Sequence, residues 1–206
     1  MKRALVKVGI ALLSLCVVAL PCAAQQMVKS KSSGFFVGLG LEGNGIVTNV
    51  SGNSSVSENG GGAGLVLGYG FNPRWAMYGE LSGAEISADG GGGYGLAHLD
   101  VGARVHFRTG PNIVVPFLQF GLSARAEGQD ITTSSGQHKI EAGGTGVAFG
   151  GGLNAHFTPS VAFSGSVVWS VGDFTDYKVD GASVGGSAVR ATSARVHLGL
   201  IWFPGS

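Results

Sequence analysis

The stretch His98-Leu99-Asp100-Val101-Gly102-Ala103-Arg104-Val105-His106-Phe107 alternates without a break: Leu, Val, Ala, Val, Phe on one parity, and His, Asp, Gly, Arg, His on the other. A period of two is the signature of a β-strand whose faces meet different surroundings. The fold then depends on which face meets water.

Other segments repeat the pattern. Phe35, Val37, Leu39 and Leu41 oppose Gly38, Gly40, Glu42 and Asn44; Ala63, Leu65, Leu67, Tyr69 and Phe71 oppose Gly62, Gly64, Val66, Gly68 and Gly70. Val147, Phe149, Leu153, Ala155 and Phe157 oppose Ala148, Gly150, Gly152, Asn154 and His156, while Val196, Leu198, Leu200 and Trp202 oppose Arg195, His197 and Gly199. In a soluble sandwich the second face would be rich in Lys, Glu and Thr. Here it is mostly Gly, Ala and Ser, the small residues that fit the crowded inside of a narrow barrel. The apolar face is then left to lipid. Charged residues are only 12% of the chain, and 38 of its 206 residues are Gly.

Eight strands are expected, at about 34–44, 61–71, 75–86, 94–107, 115–127, 144–157, 161–172 and 190–203. Three connections are short and hold Pro: Asn72-Pro73-Arg74, Arg108-Thr109-Gly110-Pro111-Asn112 and Thr158-Pro159-Ser160. Pro presets turn geometry and cannot donate to a ladder, so it marks hairpin ends. The others, about 45–60, 87–93, 128–143 and 173–189, are long and free of Pro. Strict alternation of short and long connections predicts an all-β, eight-stranded, antiparallel up-and-down transmembrane β-barrel, with turns toward the periplasm and loops outside. Phe35, Phe71, Trp75, Phe107, Phe117, Phe157, Trp202 and Phe203 cluster near the turn ends and are expected to form an interfacial girdle.

Residues 1–24 read as an export signal. Lys2, Arg3 and Lys7 precede the thirteen-residue apolar run Val8 to Leu20, then Pro21 and the small residues Cys22-Ala23-Ala24. Such a run is too short to span a bilayer as a helix. Cleavage after Ala24 would leave a short lead, 25–33, and the barrel domain, 34–204. Both cysteines, Cys16 and Cys22, fall in the signal, so the mature chain has no disulfide and no thiolate ligand. Removing three bases leaves 10 Lys+Arg against 12 Asp+Glu, a net charge of −2 with no basic field for nucleic acid.

The segment Tyr69-Gly70-Phe71-Asn72-Pro73-Arg74-Trp75-Ala76-Met77-Tyr78-Gly79-Glu80-Leu81 resembles the second hairpin of the OmpA/opacity-type outer-membrane barrels. Arg195 to Phe203 resembles their closing strand. The resemblance implies residence in the bacterial outer membrane, with outer-membrane lipid and the barrel assembly machinery as partners. The assembly machinery would read the terminal aromatic. No OmpA-type peptidoglycan-binding domain is expected after the barrel.

Glu42, Glu80, Asp100, Arg104, Arg125, Glu127 and Arg195 share the inward parity and are expected to form a lumenal ion-pair network, because unpaired buried charge is very costly. Glu80 with Arg104 and Glu42 with Arg195 are the pairs expected. His98, His106, His156 and His197 also face inward. They lie at different heights, which favours polar filling over a metal centre needing three or four converging ligands. No catalytic, cofactor or metal residue is assigned. Gly38-Leu39-Gly40-Leu41-Glu42-Gly43 matches a dinucleotide fingerprint but sits inside a strand with no helix pattern after it.

Three function classes follow. The first is a non-enzymatic envelope barrel with a structural or surface-interaction role. The second is a small gated channel, implied by the resemblance to OmpA, although eight strands leave a lumen that side chains fill. The third is an outer-membrane lipid-modifying enzyme, disfavoured because the four strand histidines face inward and loop His138, near Ser134 and Ser135, has only Glu141 as an evident orienting acid. The long loops carry Glu58, Asp89, Asp130, Glu141, Asp173, Asp176 and Asp180 against Lys139 and Lys178. This acidic surface disfavours anionic ligands and names no surface ligand.

Overall fold

The computed structural model describes residues 32–50, 54–88, 92–107, 113–134 and 136–204. The expected signal, most of the lead, and the Arg108 to Asn112 turn lie outside the described residues. The strands are β1 (Gly34–Val50), β2 (Ser54–Gly70), β3 (Trp75–Ser87), β4 (Gly93–His106), β5 (Val114–Thr133), β6 (Gly136–His156), β7 (Val161–Val179), β8 (Ala182–Val184) and β9 (Val189–Trp202). All pairings are antiparallel, and β1 pairs with β9 while β6 pairs with β7, so β1 to β7 and β9 close into an eight-stranded barrel. No helix among the described residues is long and apolar enough to cross a membrane.

Following register partners once round, from Phe35 through Tyr69, Met77, Ala103, Phe120, Phe149, Trp169 and Ala194, returns to β1 at Gly45, ten residues on. Ten residues of stagger over eight strands set a strand tilt of about 40°. The same geometry makes the inner wall narrow. Glycines meet glycines on the inner wall: Gly40 faces Gly199, Gly102 faces Gly121 and Gly146 faces Gly172 in register, and a Cβ at any of them would run into the neighbouring strand's backbone.

The parity reading holds at the residues that decide it. Val101 is 50% exposed and Asp100 0%; Leu198 is 53% exposed and His197 4%. The outer wall carries Leu39, Leu41, Leu81, Leu99, Leu118 and Leu122, an apolar belt that only a lipid environment satisfies.

The turn ends match the sequence expectation within a residue or so, as do the loop ends of β3, β4 and β9, but the loop ends of β1, β2, β5, β6 and β7 do not. The segments expected as loops at 45–60, 128–143 and 173–189 are largely strand, because β1, β2, β5, β6 and β7 run well past the apolar belt. Beyond the belt the apolar residues thin out to scattered positions such as Ile46 and Phe174, so clean hydrophobic alternation fades while backbone pairing continues. The β7–β8 hairpin turns at Asp180 and Gly181, two consecutive residues at φ 51° and 79°, as in a type I′ turn. At the other end, Asn72 Oδ1 accepts from the backbone N–H groups of Arg74 and Trp75, both at 2.9 Å, which locks the Asn-Pro turn.

Candidate functional site: the lumenal charge cluster

The lumen has three layers. At the turn end, Phe36, Val66, Tyr78, Ile201 and Phe203 form a buried apolar cap. At the loop end, Ile46, Ile86, Tyr94, Leu96 and Phe174 form another. Between them lie the buried Glu42, Glu80, Asp100, Arg104, Arg125 and Arg195, along with His98 and His197.

Glu80 and Asp100 are direct register partners on β3 and β4, two carboxylates side by side on one inner wall. Like charges so placed repel. Arg195 answers them from the opposite wall: it pairs with Asp100, sits 3.5 Å from Glu80 Oε1, and donates to Ser82 Oγ at 3.3 Å. His98 Nε2 and Ser193 Oγ are 3.1 Å apart, and Ser193 and Ser170 hydroxyls are 2.7 Å apart, continuing the polar layer. Glu42 accepts from Asn44 Nδ2 at 3.2 Å, and its Oε1 lies 3.7 Å from His197 Nδ1.

The expected pairs are therefore corrected. Arg104 does not bond Glu80; its Nη2 donates to Gln119 Oε1 at 2.7 Å, and its guanidinium lies 4.1 Å from the centre of the Phe117 ring. Arg195 reaches Asp100 and Glu80 across the lumen, whereas Glu42 lies beside its register partner His197. In a barrel this narrow a long side chain spans to the far wall more readily than it folds back along its own. Arg125 lies toward the loop-end cap, donating to the Ala191 carbonyl at 3.1 Å. Glu127 is only half-buried at the loop-end mouth near Glu58, outside the Arg195 cluster, because its strand has by then risen above the central layer.

The four histidines are all buried, and they are not brought to one point. His98 reaches Ser193, His106 meets Phe117 edge-on at 6.0 Å, His156 stacks on Phe203 at 5.4 Å, and His197 lies by Glu42. Phe35, Phe71, Trp75, Phe107, Phe157 and Trp202 are exposed on the outer wall as a girdle requires. Phe203 is a correction: it is 1% exposed and packs on Phe36 at 5.7 Å inside the lumen. It follows Trp202 by one residue, so it takes the opposite parity. Phe117 is likewise inside. Gln119, Ser170 and Ser193 were missed as site residues, though their inward parity could have flagged them.

Among the described residues, one group could hold a metal ion: Glu42, Glu80 and His197 offer ligand atoms that all lie within 4.8 Å of one another.

The model of the outer membrane protein beta-barrel domain matches residues 11–199. The chain belongs to that family. As an outer membrane beta-barrel domain protein it resides in the bacterial outer membrane, where barrels of this kind keep short turns on the periplasmic side and longer loops outside. No curated protein matches the sequence. Among solved structures, Neisserial surface protein A is 19% identical over 83% of this chain and 97% of its own, with a TM-score of 0.58. The outer membrane protein OprG from Pseudomonas aeruginosa is 13% identical over 85% of this chain and 98% of its own, at 0.57. At such identities the likeness is one of fold.

Outside the membrane, the barrel protein carries a second polar group. His138 Nδ1 lies 2.8 Å from Asp180 Oδ2, and Asp180 Oδ1 accepts from the Lys139 backbone N–H at 2.9 Å, so the β5–β6 and β7–β8 hairpins are clasped together. The hydrogen bond from His138 holds the Asp180 carboxyl below its usual range. The acid beside His138 is thus Asp180, not Glu141, which pairs with Lys139 at 2.6 Å. That ion pair pushes the Lys139 ammonium up and the Glu141 carboxyl down.

Proposed function

We propose that this outer-membrane protein is a non-enzymatic barrel with an envelope-structural or surface-interaction role. The observation that supports this reading is the layering of its lumen. A charged middle flanked at both ends by buried aromatic and aliphatic side chains favours a plugged barrel over an open channel, because an ion does not pass buried apolar side chains cheaply. The lumenal charges then serve closure, tying β3, β4 and β9 together through Arg195. Outside the membrane, β5, β6 and β7 rise as a paired sheet bearing Asp130, Lys139, Glu141 and Asp180, a firm acidic surface suited to contact with a partner.

Single-channel recording in planar lipid bilayers tests it. The barrel is expected to insert and remain electrically silent. Discrete conductance steps that vanish in the Arg195→Met variant would instead establish a gated channel worked by the shared Arg195 pair.

A further inference from the structure

Three carboxylates, Glu42, Glu80 and Asp100, surround a single guanidinium, that of Arg195, in the central lumen. Arg104 is committed to Gln119 and the Phe117 ring, and Arg125 to the Ala191 carbonyl. Three buried carboxylates and three buried guanidinium groups balance in formal charge, but neither Arg104 nor Arg125 hydrogen-bonds to Glu42 or Glu80, and a buried carboxylate oxygen without a hydrogen bond is expensive. Arg195 pairs with Asp100 and reaches Glu80 Oε1 at 3.5 Å, and Glu42 Oε1 lies 3.7 Å from His197 Nδ1, yet Glu42 Oε1, Glu80 Oε1 and His197 Nδ1 are all buried atoms without a hydrogen bond. These three residues are the ones whose ligand atoms converge.

The wall beside them is vacated. A Cβ at Gly64 would lie 3.1 Å from Glu42 Oε1 and 3.3 Å from His197 Nδ1, and one at Gly40 would lie 2.5 Å from His197 Nε2. Gly40 and Gly64 are register partners on β1 and β2, so the ligand side chains pack directly against a stretch of wall that carries no side chain of its own.

We propose that Glu42, Glu80 and His197 form a binding site for one divalent transition-metal ion of the zinc class inside the barrel. Two carboxylate oxygens and an imidazole nitrogen suit zinc and its first-row neighbours, whereas magnesium and calcium favour all-oxygen sets. Glu42 and His197 are register partners across the β1–β9 seam, and Glu80 comes from β3. The ion therefore staples the first strand to the last, and with apolar caps above and below it is taken up as the barrel closes.

The test is refolding of the purified protein into phospholipid vesicles with ZnCl₂ or CoCl₂, followed by desalting and metal analysis. Wild type is expected to retain about one ion per chain. Glu80→Gln and His197→Gln are expected to weaken retention by about tenfold or more, while Asp180→Asn, outside the membrane, retains the ion. Bound cobalt is expected to give visible d–d absorption, a readout that does not depend on the variants folding. A folded wild type that holds no metal and shows no cobalt spectrum overturns the proposal. Equal retention in folded Glu80→Gln and His197→Gln also overturns it, because the ion would then lie elsewhere.

Discussion

Arg195 on β9 and Asp100 on β4 are ion-paired from diametrically opposite staves: four strand steps separate them whichever way the barrel is traversed. The pair ties the closing strand to the far wall, and both side chains are fully buried. In water such a pair would contribute little. Here its loss strands a charge in a medium that cannot solvate it.

Replacing Arg195 by Met should therefore cost about 3–5 kcal/mol, because Asp100 and Glu80 would be left facing each other uncompensated. Urea unfolding of the barrel in phospholipid vesicles, followed by tryptophan fluorescence, measures it. Adding Asp100→Asn to Arg195→Met should recover a substantial part of the loss, since one stranded charge is removed.

The inner glycines should be far less replaceable than the outer ones. A Cβ on Gly102 would strike the Phe120 carbonyl oxygen on the next strand, and backbone cannot step aside. Gly102→Val is expected to destabilise by at least about 1–3 kcal/mol, and to reduce the fraction of barrel that migrates as the compact form on unboiled SDS gels. Gly83 has nothing within 4 Å of its virtual Cβ, so Gly83→Ala should change stability by no more than about 0.5 kcal/mol.

Lipid exposure gives a third contrast. Val101 faces outward within the apolar belt, so Val101→Arg should cost about 2–4 kcal/mol. Glu85 is exposed at the loop end of β3, beyond the belt, and Glu85→Arg should leave the unfolding midpoint nearly unchanged. The same urea titration reads both.

What the sequence made legible follows from this physics. Where lipid touches one face and a packed lumen the other, each residue's parity fixes its side, so Val101, Asp100, Leu198 and His197 could all be placed. The signal fails where that contrast ends. The outer extensions of β1, β2 and β5 to β7 are held by backbone pairing and carry too few apolar residues, such as Ile46 and Phe174, to keep a regular alternation. Phe203 was grouped with Trp202 by its position near the strand end, although a single step of parity puts it inside. The partner of Arg195 depends on the ten-residue stagger, which is a property of the closed barrel that no single strand displays.

The His138–Asp180 clasp carries a pH dependence with a definite sign. Its folded carboxyl titrates below the ordinary Asp range, held down chiefly by the His138 hydrogen bond and then by the Lys139 N–H. The contribution is therefore complete above the unfolded-state Asp pKa and is lost as pH falls through the lower folded-state value. Amide hydrogen exchange in β8 and the Asp180-Gly181 turn should quicken in that acid window. Asp180→Asn, which tolerates the positive φ, should remove the pH dependence.

All three tryptophans, Trp75, Trp169 and Trp202, lie on the outer wall and are 42–51% exposed there. Reconstitution of the wild-type protein into vesicles of acyl-chain-brominated phosphatidylcholine is thus the most direct test that the apolar face meets lipid. Strong quenching of tryptophan emission by the brominated chains, with little quenching by aqueous iodide, is the predicted result. Emission untouched by bromine yet quenched by iodide would mean that the apolar wall does not face the membrane.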